Sequence, residues 1–183
     1  GYRLLDVIGG GASGTVYKAV QTNLEREVAI KVFLKDQHQS QNDLKRFRQE
    51  ARLMAKLNHP NIITVFDFGQ TGFTYYIVME LMQKGSVLEM IRQDQITIEF
   101  LPLFVEEIFG ALIYLHNNDI IHRDIKPGNI MVTEDKNLKL GDFGISCLDS
   151  AQNLERSERG YILGTKAYMS PEILAGEVPT KLS

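Results

Sequence analysis

The apolar residues of this chain change their spacing part-way along, and that change limits it to a sheet-rich part followed by a helix-rich part. Up to Leu34 the pattern is one of short alternating runs, YRLLDVI, TVYKAV and EVAIKVFL, set apart by GGGASG and QTNLER. Runs of this length predict three antiparallel strands. Over NDLKRFRQEARLMAKLN the spacing becomes three and four, through Leu44, Phe47, Ala51, Met54 and Leu57, which predicts a helix closed at NHP. NIITVFDFG and FTYYIVMEL return to strand character. The expectation is a five-stranded antiparallel sheet with one helix, ending near Leu81, and a division into residues 1–82 and 83–183.

Beyond MQKGS the pattern is helical. VLEMIRQ is followed by a longer segment with Leu101, Phe104, Val105, Ile108, Leu112 and Leu115 on one face, and Pro102 falls in its opening turn, where a missing N–H costs least. NIMVT and LKLGDFG then read as two short strands around the turn-forming EDKN. From Ile145 to Lys166 no period is evident, and a long mobile loop is expected. The class is therefore α+β, with a mainly helical second half.

Composition sets outer bounds. A chain with 44% hydrophobic and 23% charged residues and a net charge of -3 has the balance of a soluble globular protein, without a nucleic-acid or membrane-surface footprint. Its one cysteine, Cys147, allows no internal disulfide and no metal-ligand spacing, which suits a reducing, cytoplasmic compartment. No apolar run approaches the ~18 residues of a membrane span, and no charged-then-apolar leader opens the chain, so no membrane segment is expected.

Three short motifs carry chemistry. GGGASGTV matches G-x-G-x-x-G-x-V through Gly9, Gly11, Gly14 and Val16. A dinucleotide fingerprint needs those glycines to open a helix, but a strand follows them here, and Thr15 stands where a P-loop has its lysine. A phosphate-covering strand turn fits, because glycines let backbone N–H groups approach an anion; a bare hairpin stays open on this motif alone. In EVAIKVFL, alternation puts Lys31 on the strand face of Ala29 and Phe33, and Glu50 falls on the buried stripe of the predicted helix. A buried carboxylate is costly unless paired, so both residues make sense if they meet.

The third motif is HRDIKPGN, His122 to Asn129, with DFG, Asp142 to Gly144, beginning thirteen positions beyond Asn129. Asp124 could orient a hydroxyl, and Asn129 and Asp142 supply hard oxygen ligands, which is the set that magnesium-assisted phosphoryl transfer requires.

Together these motifs resemble the eukaryotic-type protein kinase family, serine/threonine subclass, over essentially the whole chain. The resemblance implies a two-lobed fold, residues 1–82 forming the N-lobe and 83–183 part of the C-lobe, with ATP bound between them and Mg2+ as cofactor. It implies that Lys31 holds the nucleotide phosphates with Glu50 as its partner, that Asp124 is the catalytic base, and that Asn129 and Asp142 are the metal ligands. Lys126, two residues after Asp124, marks the serine/threonine subclass, and Thr165 in GTKAYMSPE fits it. By the same resemblance Ile8, Gly9, Gly11, Gly14, Val16, Ala29 and Met131 surround the nucleotide. Glu80 and Met82 would offer it backbone hydrogen bonds, and Met79 would guard a back pocket. Met54, Val65, His122 and Phe143 would form an apolar column.

Departures from the family pattern add expectations. Ser170 stands for the usual alanine before Pro171 and Glu172, and Tyr161 stands where an activating phosphothreonine is common. Arg123 would then need a different anionic partner, with Ser157, Thr165 and Glu158 as candidates. The family continues into further helices after SPE, so the chain is expected to be a piece of a longer kinase that exposes the apolar underside of its long helix. The expected activity is transfer of the ATP γ-phosphate to Ser/Thr hydroxyls of protein substrates. Two alternatives are a nucleotide-binding pseudokinase or scaffold, and a small-molecule phosphotransferase, which DFG and GTKAYMSPE disfavour.

Overall fold

The computed structural model describes residues 1–11, 14–34, 51–72, 74–142, 166–177 and 180–181. They fall into two compact units, Gly1–Asn58 with Ile63–Met82, and His59–Ile62 with Gln83–Ser183.

The first unit is a five-stranded antiparallel sheet in the order β1-β2-β3-β5-β4. Its strands are β1 (Tyr2–Gly11), β2 (Gly14–Gln21), β3 (Arg26–Leu34), β4 (Val65–Thr71) and β5 (Thr74–Met79). Register decides which side chains share a face, since directly opposed residues point the same way. Ala19 opposes Val28, Ile30 opposes Val78, and Val32 opposes Tyr76. Ala19, Val28, Ile30 and Val78 are buried and form a core on that face, with Tyr2, Phe66 and Tyr76 packed against it. Tyr2 on one edge strand also reaches Asp67 on the other, its hydroxyl donating to Oδ2 at 2.8 Å. On the opposite face Val16 opposes Lys31, Lys31 opposes Ile77, and Ala29 opposes Met79.

Two expectations in this unit are corrected. Residues 51–54 are helical and bury Ala51 and Met54, but the helix does not run on to Asn58. Lys56 and Leu57 donate to carbonyls three residues back, Leu53 and Met54, in the tighter geometry that commonly ends a helix. The strand expected from Asn61 begins only at Val65. Ile62, which itself groups with the second unit, bridges Leu140 within that unit instead, so its apolar character serves a different partner.

The second unit contains α1 (Val87–Arg92), α2 (Phe100–Asn117), a 3-10 turn (Pro127–Asn129), the hairpin β6 (Ile130–Val132) and β7 (Leu138–Leu140), a second 3-10 turn (Lys166–Tyr168) and α3 (Pro171–Leu174). Ser86 and Glu89 form a reciprocal capping box on α1, Ser86 N to Glu89 Oε2 at 3.0 Å and Glu89 N to Ser86 Oγ at 3.4 Å. Gly85 precedes it with φ +78°, and a Cβ there would strike the Glu89 carboxylate, so the cap requires glycine.

Helix α2 buries Ile108, Ala111 and Leu115 and packs on β7. Leu101 and Val105, expected on the buried face, are exposed, and with Phe109 and Ile113 they line a second apolar stripe. At 18 residues α2 is also long and apolar enough to cross a membrane by length and composition alone. No apolar run near ~18 residues was expected, and Glu106 and Glu107 do interrupt the consecutive run within α2.

Candidate active site

In the first unit the sheet builds a platform. Lys31 is 3% exposed, flanked on β3 by Ala29 and Phe33, with its ammonium 5.6 Å from the Phe33 ring centre. Val16, Ala29 and Met79 share its face through the register given above. Glu50, the expected partner of Lys31, lies outside the described residues.

The glycine motif sits in the β1–β2 hairpin, with Gly9 opposite Val16 and Gly11 opposite Gly14. No helix follows, which removes the dinucleotide fingerprint. Gly14 has φ +122°, and a Cβ would collide with the Val32 carbonyl, so this turn and this close approach both demand glycine. Ile8, two residues before Gly10 on β1, is 47% exposed. Past β5, the Glu80 N–H donates to the Thr64 carbonyl at 2.9 Å and its carboxylate accepts from Thr64 N at 3.3 Å. Any backbone hydrogen bond from Glu80 to a purine base therefore comes through its carbonyl. Met82 follows, half-buried.

The second unit holds the denser polar cluster. After α2 the chain enters HRDIKPGN, where Pro127 opens the 3-10 turn and Asn129 N–H closes it on the Lys126 carbonyl at 2.9 Å. Asn129 is 5% exposed, and its amide nitrogen donates to both Asp124 O at 2.7 Å and Asp124 Oδ2 at 2.8 Å. Lys126 Nζ donates to the same Oδ2 at 2.7 Å. One carboxylate oxygen of Asp124 is thus doubly engaged. Oδ1 accepts no hydrogen bond among the described residues.

His122 joins this loop to the end of β7. It is 1% exposed; its Nδ1 accepts from Asp124 N–H at 3.3 Å, so the ring proton sits on Nε2 and is donated to the Gly141 carbonyl at 3.0 Å. Burial pushes the imidazole pKa down to about 4, against the opposing pull of the Gly141 carbonyl, Asp124 and Asp142. A neutral ring is what both hydrogen bonds need. The Gly141 N–H returns to the Asn129 carbonyl at 2.8 Å, closing a ring of contacts that ends beside Asp142.

Arg123 and Asp142 both take left-handed backbone conformations, φ 68° and 55°. Residues other than glycine hold this region at a cost when the surroundings enforce it, as they do at functional sites. Met131 follows on β6, opposite Lys139 and bridged to Ser86.

The oxygen set suits magnesium. With its amide nitrogen committed to Asp124, Asn129 has Oδ1 to offer a cation, and Asp142 adds a carboxylate. The described residues contain no cluster of three or more His, Cys, Asp or Glu side chains that would suit a tighter all-protein site. Magnesium is commonly held by one or two protein oxygens with the rest from water and phosphate, so the residues fit it.

The model of the protein kinase domain family matches residues 2–182. The chain belongs to the protein kinase family. Among curated kinases it is 38% identical to the serine/threonine-protein kinase PrkC of Bacillus subtilis, over 100% of this chain and 28% of that protein. It is 37% identical to PknA of Mycobacterium tuberculosis, over 96% of this chain and 42% of that protein, and 36% identical to PknL, over 90% and 41%. It therefore spans less than half the length of the kinases it resembles.

Sequence reasoning missed two residues that bind the backbone of β7 beside this loop, Glu107 and Asn61. Glu107 was legible by the argument applied to Glu50, since it falls between Phe104 and Ala111 on the inward side of α2. Asn61 had no signal, because its role depends on a contact with β7. Phe143, Ser157, Glu158, Tyr161 and Thr165 lie outside the described residues.

Proposed function

We propose that the chain carries the catalytic part of an ATP- and magnesium-dependent protein serine/threonine kinase. The observation that carries this is the state of Asp124. Lys126 and Asn129 saturate Oδ2 and fix the carboxylate, leaving Oδ1 to accept the proton of a substrate hydroxyl. Lys126 also sets a positive charge beside the attacking oxygen, where transferred phosphoryl charge develops. Asn129 Oδ1 and the Asp142 carboxylate would hold the magnesium ion, which when bound neutralises phosphate charge. In the first unit Lys31 and the backbone N–H groups of the glycine hairpin serve the nucleotide phosphates, while Val16 and Ala29 offer apolar contacts to the base.

Lys126 and the names of the relatives support serine and threonine as acceptors. The single Cys147 supports a cytoplasmic setting. We read α2 as a packed helix of the second unit because its Ile108, Ala111 and Leu115 face is buried.

The test is transfer of radiolabel from ATP to a generic protein substrate by the protein containing this chain. Asp124→Asn should lower transfer by about 10²–10⁴-fold, the usual worth of a positioned general base. Equal transfer by wild type and variant would overturn the assignment. ATP binding with no transfer by either would favour a binding module.

A further inference from the structure

A two-stranded sheet leaves each strand one edge of N–H and C=O groups without a neighbouring strand. On the outer edge of β6, Val132 N–H donates to the Gly85 carbonyl at 3.0 Å. The outer edge of β7 is closed differently. Leu138 N–H donates to Glu107 Oε2 at 2.6 Å, and Leu138 O accepts from Asn61 Nδ2 at 2.9 Å. Two residues on, Leu140 N–H donates to the Asn61 carbonyl at 2.8 Å. Leu138 and Leu140 are 0% exposed, so water has no ready access to replace these partners. Each polar group of Leu138 thus depends on one side chain, and neither side chain belongs to the hairpin.

This matters because of where β7 leads. Leu140 is followed by Gly141, which holds Asn129 and His122, and then by Asp142. A strand advances about 3.3 Å per residue and alternates faces, so a slip of one residue at Leu138 would displace Asp142 and turn it to the other side. A charge-assisted bond from a carboxylate is a strong pin against such a slip.

We propose that Glu107 and Asn61 are positioning residues for phosphoryl transfer. They grip Leu138 by its N–H and its carbonyl, fix the register of β7, and so set the point from which Asp142 is presented. The proposal rests on the kinase reading of Asp142 given above.

The test compares Glu107→Leu, which removes the acceptor, with Glu107→Gln, which keeps an acceptor oxygen, and adds Asn61→Asp, which removes the donor to Leu138 O. Two readouts are taken, amide hydrogen exchange at Leu138 and Gly141, and the magnesium concentration that half-saturates transfer. In Glu107→Leu the two amides should exchange at least about tenfold faster, and the magnesium requirement should rise about tenfold, within the range for residues supporting a metal ligand. The KM for protein substrate should stay as in wild type. Glu107→Gln should restore both readouts to within about twofold of wild type, the same acceptor geometry being kept. Wild-type values in Glu107→Leu, or equal impairment in the Gln and Leu variants, would overturn the proposal. If Glu107→Leu does not fold, Asn61→Asp decides, with the same direction expected in both readouts and wild-type values counting against it. If wild type transfers no phosphate at all, the kinase reading fails, and the exchange data still decide whether the clamp exists.

Discussion

Lys31 is buried and Asp124 keeps about 32% of its side chain exposed, and the supports of these two charged groups differ in kind. Lys31 sits in a nine-residue strand paired on both sides, β2 on one and β5 on the other, so backbone ladders locate it. Asp124 lies in a loop with no ladder. It is located by side chains, His122 and Asn129 on its backbone and Lys126 and Asn129 on its carboxylate, and by a neighbour, Arg123, in a left-handed conformation. The difference teaches where the molecule is fragile. Ladder bonds survive most side-chain changes, whereas a polar network fails one partner at a time.

Acid should reveal the network first. The folded pKa of His122 is about 4, below the ordinary 6.5, so the folded state keeps the ring neutral while the unfolded state takes up a proton. The stability this residue supplies is complete above pH 6.5 and is lost as pH falls toward 4, amounting to about 3 kcal/mol. Urea unfolding of wild type and His122→Phe across this window should show a steep loss in the first and a flatter profile in the second. Parallel profiles would mean that the ring is not held neutral.

Asn129→Ala tests the same network by function. It deletes both amide bonds to Asp124 and one candidate metal oxygen. The rate of transfer at saturating ATP should fall by roughly 10–100-fold, as when metal ligation or its support is lost. A fall in KM alone, with an unchanged rate, would break the contrast between loop and strand.

The sheet should yield only to changes in backbone. Gly14→Ala puts a Cβ against the Val32 carbonyl at φ +122°, and should cost about 2 kcal/mol in urea unfolding. Tyr2→Phe removes a side-chain bond from the same unit, the one to Asp67, and should cost about 1 kcal/mol or less because the ladders remain. A larger loss in Tyr2→Phe than in Gly14→Ala would sink the idea that ladders dominate there.

The same contrast explains what was legible beforehand. Alternation over 27–34 places Lys31 and its neighbours on their faces, because a period of two is local and each strand repeats it. The glycine hairpin and HRDIKPGN were readable as motifs, since their constraints act within a few residues. The spatial neighbours were less so. Asn61 pairs with a strand 77 positions away, and nothing in NIITV separates that pairing from membership of β4. An exposed apolar side of α2 was expected, but not which residues form it, because Leu101, Val105, Phe109 and Ile113 share the spacing of a buried face. Glu107 was passed over when α2 was treated as an apolar helix, although a carboxylate on its inward side asks for a partner.

The most direct test of the account is to identify the amino acid that receives phosphate. Protein substrate labelled from ATP by wild type and by Asp124→Asn is hydrolysed and its phosphoamino acids separated. The account predicts phosphoserine and phosphothreonine with wild type and nearly none with the variant. Phosphotyrosine as the main product, or equal label from both proteins, would contradict it.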